Sequence, residues 1–367
     1  MMFLSVNGNN EEKSAAADLS AAPQKKRAGK RGSLLADLKN RGKSILLPAA
    51  ILVLMIVFQS VVILINEKSL SQLFPKLWQS WLNILRNNAY TGIIAIGMYF
   101  VMLTGGIDLS VGSMTCAIGA VVMYLVDPSI GLLASFGIIG APAYIFAILA
   151  AVLVGFLLGE LNGVLITWGR VPPMICTLGT MKIFRSVTQQ LTKKFNPTVP
   201  SGFKQIASFK IGSQVILPVI YWVVIVAVLH IIFRKTAFGK QTTAIGSNVT
   251  AAGYSGINVK RVLRRVYALC GVMCAFAAVI YVARIGSMDF ANAGSGYEMD
   301  SIAAVGIFGT SASGGGSVLG TFVGMLLIGS INNILNMLGV PTFLCDAVRG
   351  ALIIIAVLLQ YFRKKDR

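Results

Sequence analysis

Between Ile45 and Phe362 the chain runs as ten apolar stretches separated by short polar or glycine-rich interruptions. They cover about 45–65, 88–104, 111–126, 143–168, 174–191, 215–233, 266–283, 300–312, 317–337 and 343–362. A helix needs about 20 mostly apolar residues to cross the hydrocarbon core of a bilayer. The third and eighth stretches are short, so half-helices or re-entrant pieces are expected there, buried by surrounding protein. Only 12% of the 367 residues are charged, against about 25% in a soluble domain, which excludes a soluble enzyme of this size. The 38 glycines follow no collagen period, which excludes a fibre. The expected fold class is an all-α polytopic membrane protein of about ten transmembrane helices.

The net charge of +19 is explained by topology. If ten spans alternate, one side of the membrane carries eight Lys and Arg and the other twenty-one, with Lys182, Arg185 and Arg349 inside spans. The positive-inside rule then places both termini in the cytoplasm. No nucleic-acid partner is needed to account for the charge. Residues 1–44 hold nine of the basic residues in a small, polar run that cannot bury apolar area, so a disordered cytoplasmic tail resting on anionic membrane lipid is expected. The transmembrane domain then spans 45–362, and 363–367 form a cytoplasmic end.

Chemistry-bearing residues are few. Cys116, Cys176, Cys270, Cys274, Cys345 and the single His230 all lie in apolar stretches without metal-like partners. Buried packing is expected for each, with no metal, no cofactor and no catalytic residue. The cluster from Gly309 to Ser317 resembles a phosphate loop, but Ser317 stands where such a loop needs its Lys, so ATP is not expected to bind this chain.

Two segments match in order. Residues 161–180 and 331–350 align Asn162 with Asn332, Gly169 with Gly339, Pro172 with Pro341 and Cys176 with Cys345. Upstream, Gly106–Ser110 faces Gly296–Asp300 and matches Asp108 to Glu298. Copies five spans apart run in opposite directions through the bilayer, as two inverted five-helix repeats; transport paths form at such repeat interfaces. Chance recurrence of Gly-Val-Pro turns is the alternative. Asn162, Thr180, Asn332 and Asn333 are path candidates because they lie in the matched segments; interhelical hydrogen bonding is the alternative for each.

Gly105, Gly106, Asp108 and Glu298 mark helix breaks, with Asp108 positioned to cap the following helix. A charge at membrane depth costs about 2.5–3.5 kcal/mol on insertion scales, so partners are required. Asp346 is expected to pair with Arg349, and Glu160 with Lys182 or Arg185. Proton coupling through Glu160 or Asp108 is the alternative.

Within the 234–265 loop, Ser247 or Asn248 can cap a short helix over Val249–Tyr254, and Gly256 fits its left-handed closing position. The face carrying Ala251, Ala252 and Tyr254 is expected to be exposed, suiting a groove on another protein. An ordinary basic loop is the alternative.

Four strings in unbroken order, GGIDLSVGS, VPPMICTLGTMKIFRS, AIGSNVTAAGYSGINV and GYEMDSIAAV, resemble the permease subunits of sugar ABC importers, the ribose, galactose and xylose permease family. The resemblance covers about residues 85–362. It implies a permease in the plasma (inner) membrane that pairs with a second permease subunit, identical or paralogous. It also implies two ABC ATPase subunits as partners and an extracytoplasmic sugar-binding protein that delivers the sugar substrate. Asn248–Asn258 is similar to the helix that couples such permeases to their ATPase. The string GTSASGGGS departs from the Gly-Gly-Thr or Gly-Gly-Val opening common in the family, and the basic tail is additional. An ion-coupled secondary transporter using Asp108, Glu160 or Glu298 is the alternative function. An intramembrane hydrolase lacks support, since no acid lies near His230 in sequence.

Overall fold

The computed structural model describes residues 50, 52–65, 69–193, 197–211, 214–309 and 316–341, with scattered positions between 344 and 354. The basic tail, the residues after 354 and the expected Asp346–Arg349 pair lie outside the described residues.

The described chain is almost wholly helical. It contains α1 (Leu52–Ile65), α2 (Leu73–Leu103), α3 (Val111–Val126), α4 (Ala141–Thr167) and α5 (Pro173–Thr192). A short α6 (Ser201–Ser208) follows. The two-residue strands β1 (Lys210–Ile211) and β2 (Gln214–Val215) then pair antiparallel, Lys210 opposite Val215, an irregularity the all-α expectation did not include. Next come α7 (Leu217–Lys235), α8 (Ala237–Ser247), α9 (Val249–Tyr254), α10 (Val259–Ile285), α11 (Tyr297–Ala304) and α12 (Val318–Met337). A π-helical turn at Val305–Gly309 extends α11. Among the described residues α4, α7, α10 and α12 are long and apolar enough to cross a membrane; α1 and α3 are apolar but shorter.

Local chemistry sets many of these boundaries. Helices α4, α5 and α7 open with proline in the first turn, where a missing N–H costs nothing. Gly286 closes α10 in the left-handed conformation, with φ +75. Elsewhere the helices outrun their apolar stretches. Helix α2 begins at Leu73 rather than 88, and α10 at Val259 rather than 266. Polar residues such as Gln79 and Arg261 do not stop a helix; they only end the stretch that can sit in hydrocarbon.

Helix α10 is the central pillar. Its most apolar window is 78% buried, whereas the corresponding window of α4 is 22% buried. Helices α2, α3 and α4 pack around α10. Helix α4 meets the pillar through a stripe of small residues at every fourth position, Ala147, Ala151, Gly155, Gly159 and Gly163, all buried. A Cβ on Gly155 would overlap the Gly271 carbonyl oxygen, and a Cβ on Gly163 would lie 2.8 Å from the Arg264 Cα. Such stripes let helix backbones approach closely where lipid supplies no hydrophobic driving force between helices. The opposite face of α4 exposes Leu149, Leu153 and Phe156, as a lipid-facing surface would. All five cysteines are buried free thiols, as expected, but His230 is only half-buried, on a helix whose outer face is exposed.

Candidate functional site

Two places in the fold bring together the residues singled out in the sequence: the α8–α9–α10 corner and the break between α2 and α3.

At the corner, α9 occupies Val249–Tyr254. Asn248 caps it: its Oδ1 accepts the Ala251 N–H at 2.9 Å, satisfying a donor that a helix start otherwise leaves free. Gly256, at φ +80, turns the chain, and the Ile257 N–H donates to the Ala252 carbonyl at 3.1 Å. Asn258 then caps α10 through a 3.0 Å bond from the Arg261 N–H. Two asparagine caps around one left-handed glycine give this six-residue helix a defined seat, although alone in water it is too short to persist. The exposed face differs from expectation. Ala251 and Gly253 face outward and Tyr254 is 90% exposed, but Ala252 is only 4% exposed and packs into the core. One methyl group pointing inward anchors α9; the knob presented outward is Val249, Ala251 and Tyr254.

At the break, α2 ends as the Thr104, Gly105 and Gly106 amides bond back to carbonyls of its last turn, with Gly105 at φ +83. Asp108 is fully buried. It does not cap α3. Its Oδ1 accepts both the Ser110 N–H at 2.9 Å and the Ser110 hydroxyl at 2.6 Å, so the carboxylate turns the chain three residues before the helix begins at Val111. Asn162 reaches in from α4 and donates its Nδ2 to Ser110 Oγ at 2.9 Å. Thr177 of α5 donates to the Ile107 carbonyl at 3.1 Å. The break is thus clasped from α4 and α5 by side chains that bond Ser110 Oγ and the Ile107 carbonyl.

The second acidic segment touches the first. Gly112 at the start of α3 lies against Gly294, where a Cβ on either would overlap the other's carbonyl oxygen. Glu298 sits beside them and its Oε1 accepts the Gly296 N–H at 3.2 Å. The chain just after the first matched stretch therefore meets, backbone to backbone, the chain just before the second.

The remaining path candidates are scattered. Thr180 is buried and donates to the Thr177 carbonyl of its own helix at 3.3 Å. Asn333 accepts the Ser80 hydroxyl at 2.8 Å, tying α12 to α2, while Asn332 is half-buried beside it.

Glu160 pairs with neither Lys182 nor Arg185. Its partner is Arg264 of α10, whose guanidinium also lies 5.7 Å from the Trp168 ring centroid. Close crossing at Gly159 and Gly163 brings α4 and α10 together, and Arg185 instead donates to the Ala293 carbonyl at 2.6 Å. The signal for this crossing, glycines at 155, 159 and 163, stands in the sequence as a double G-x-x-x-G, and the sequence reading passed over it.

Asp127, after α3, was also missed. Burial pushes its carboxyl pKa upward, but backbone N–H groups of Ile130, Thr198 and Ser129, with the Ser129 hydroxyl, outweigh this and hold it at about 2. One carboxylate thereby staples the loop after α3 to the chain entering α6.

Comparison with known proteins gives a consistent picture. Residues 80–357 match the family model described as branched-chain amino acid transport system / permease component. The ribose import permease protein of Bacillus subtilis (strain 168) is 41% identical over 295 residues, covering 78% of this chain and 85% of the relative. The D-allose transport system permease protein of Escherichia coli (strain K12) is 36% identical over 281 residues, 76% of this chain and 82% of the relative. The galactose/methyl galactoside import permease protein of Haemophilus influenzae (strain ATCC 51907 / DSM 11121 / KW20 / Rd) is 33% identical over 297 residues, 77% and 87% of the two chains. No solved structure matches the chain.

Proposed function

Because this chain belongs to the family of branched-chain amino acid transport system permease components, we propose that it is the membrane permease subunit of an ATP-driven ABC importer for a simple sugar, a pentose or hexose. The observation that carries this is the likeness to three curated sugar permeases over three-quarters of the chain. A multi-pass membrane protein of this kind supplies a path and no chemistry.

In this reading the chain has ten spans with both termini in the cytoplasm, supported by the placement of its basic residues. Its halves are inverted repeats, supported by the matched order of their segments. The α9 corner, Asn248–Asn258, docks an ABC ATPase subunit; an exposed Tyr254 beside small residues, on a helix capped by Asn248 and followed by the Asn258 cap of α10, supports that role. A second permease subunit completes the path, and an extracytoplasmic sugar-binding protein delivers the substrate. ATP binding draws the ATPase subunits together, α9 moves with them, and the halves rock to open on the other side. A neutral, hydroxyl-rich solute calls for amide, hydroxyl and backbone groups, which keeps Thr180, Asn332 and Asn333 as the proposed lining, while Asn162, 0% exposed and bonded to Ser110, holds the helix break.

The test is reconstitution in liposomes. With its ATPase and sugar-binding subunits the chain should drive sugar uptake that requires ATP and survives collapse of ion gradients. Uptake by this chain alone, powered by a proton or sodium gradient, would overturn the reading in favour of a secondary transporter.

A further inference from the structure

The break between α2 and α3 gathers oxygen atoms that accept nothing. Asp108 Oδ2, Asn162 Oδ1 and the Tyr267 hydroxyl are all buried without a hydrogen-bond partner. They come from three segments around one turn. Asn162 is bound through Ser110 to Asp108, and its amide also acts directly on the Asp108 carboxylate. The Tyr267 hydroxyl packs on Gly106, where a Cβ would overlap it, and lies within electrostatic reach of the Asp108 carboxylate. Asp108 and Asn162 are 0% exposed and Tyr267 is 1% exposed, so water at the surface cannot serve them. Among the described residues no Lys or Arg pairs with Asp108.

A buried carboxylate without a counter-charge is costly, and so is each idle acceptor beside it. The neighbouring helix ends do not solve the problem. The C-terminus of α2 and the N-terminus of α3 meet here with partial charges of opposite sign, which offset and leave the carboxylate uncompensated. What the cluster asks for is one positive charge that binds hard oxygen. A monovalent ion neutralises Asp108; a divalent ion would leave one positive charge buried instead. Broken helices in membrane proteins use this logic when unwound backbone and helix ends hold sodium.

We propose that the turn at Asp108 is a binding site for a small monovalent cation of the sodium class, held by Asp108 Oδ2, Asn162 Oδ1 and the Tyr267 hydroxyl. The ion is a fixed part of the fold that locks α2, α3, α4 and α10 around the break, and it is not the driving ion of transport.

The experiment is thermal unfolding of the purified full-length chain in detergent, with sodium exchanged for choline at constant ionic strength. Sodium should raise the Tm by about 2 °C or more and the rise should saturate, as mass action requires of a ligand that binds the folded state. Asp108→Asn should abolish the sodium dependence, and Tyr267→Phe, which keeps the ring, should weaken the apparent sodium affinity several-fold. A wild-type Tm that is the same in sodium, potassium and choline would overturn the proposal. So would a wild-type Tm indifferent to sodium but dependent on pH, with Asp108→Asn at least as stable as wild type, since a proton would then occupy Asp108. Should Asp108→Asn fail to fold, the Tyr267→Phe titration decides alone, and an unchanged sodium affinity in it overturns the assignment.

Discussion

Gly155 of α4 and Gly271 of α10 cross so closely that a Cβ on either would overlap the carbonyl oxygen of the other. A largely exposed long helix is thereby joined to the most buried of the four described candidate spans. Gly155→Val should therefore cost about 3 kcal/mol or more, as overpacking with no room to yield does. In contrast, a Cβ on Gly179, exposed within α5, would meet no atom within 4 Å. Gly179→Ala should stabilise by about 0.5–1 kcal/mol through reduced freedom of the unfolded chain. Denaturant titration of the two variants in micelles checks both signs; equal effects would contradict the close crossing.

The seat of α9 separates two kinds of substitution. Ala252→Arg forces a charge into a buried position and should destabilise the chain by about 3 kcal/mol or more. Ala251→Arg and Tyr254→Ala alter only the exposed face, so the Tm should stay within about 1 °C of wild type. Both should nonetheless lose most ATPase association in a co-purification assay. Full association and normal transport in both would remove α9 from the docking surface.

Glu160 and Arg264 form a partly exposed pair, so its contribution is discounted for screening to about 0.5–1 kcal/mol. A double-mutant cycle with Glu160→Gln and Arg264→Ala should return that coupling energy, and adding salt should shrink it. A coupling energy indistinguishable from zero at low salt would mean the two groups act independently.

Asp127 makes stability depend on acidity. Its folded pKa of about 2 lies below the ordinary carboxylate value of about 3.9. A depressed pKa means that the folded chain holds the proton less well than the unfolded chain. The stabilisation, about 2 kcal/mol, is therefore complete above about pH 5 and is lost as pH falls through 4 toward 2. Asp127→Asn should lower the Tm at neutral pH and narrow the gap to wild type in acid. A gap that stays constant between neutral pH and about pH 3 would show that the staple is not what the carboxylate contributes.

Some of these features could be read from residue order because their physics is local. The bounds of α9, its Asn248 cap, the left-handed Gly256 and the break at Gly105 all rest on interactions within a few residues. The helical, membrane-embedded class rests on stretch length and missing charge, which need no three-dimensional information. Other features require knowing which helix lies beside which. A six-residue helix has no periodicity to reveal its inward face, so the burial of Ala252 emerged only from packing. Glu160 was expected to pair with Lys182 or Arg185, and the crossing at Gly159 and Gly163 selected Arg264 instead. Asp108 was marked as a cap, yet Ser110, Asn162 and Tyr267 define its surroundings from three separate segments. Hydrophobicity and capping act along the chain and survive in the order of residues; ion pairing and close packing act across it, and only the folded arrangement of helices settles them.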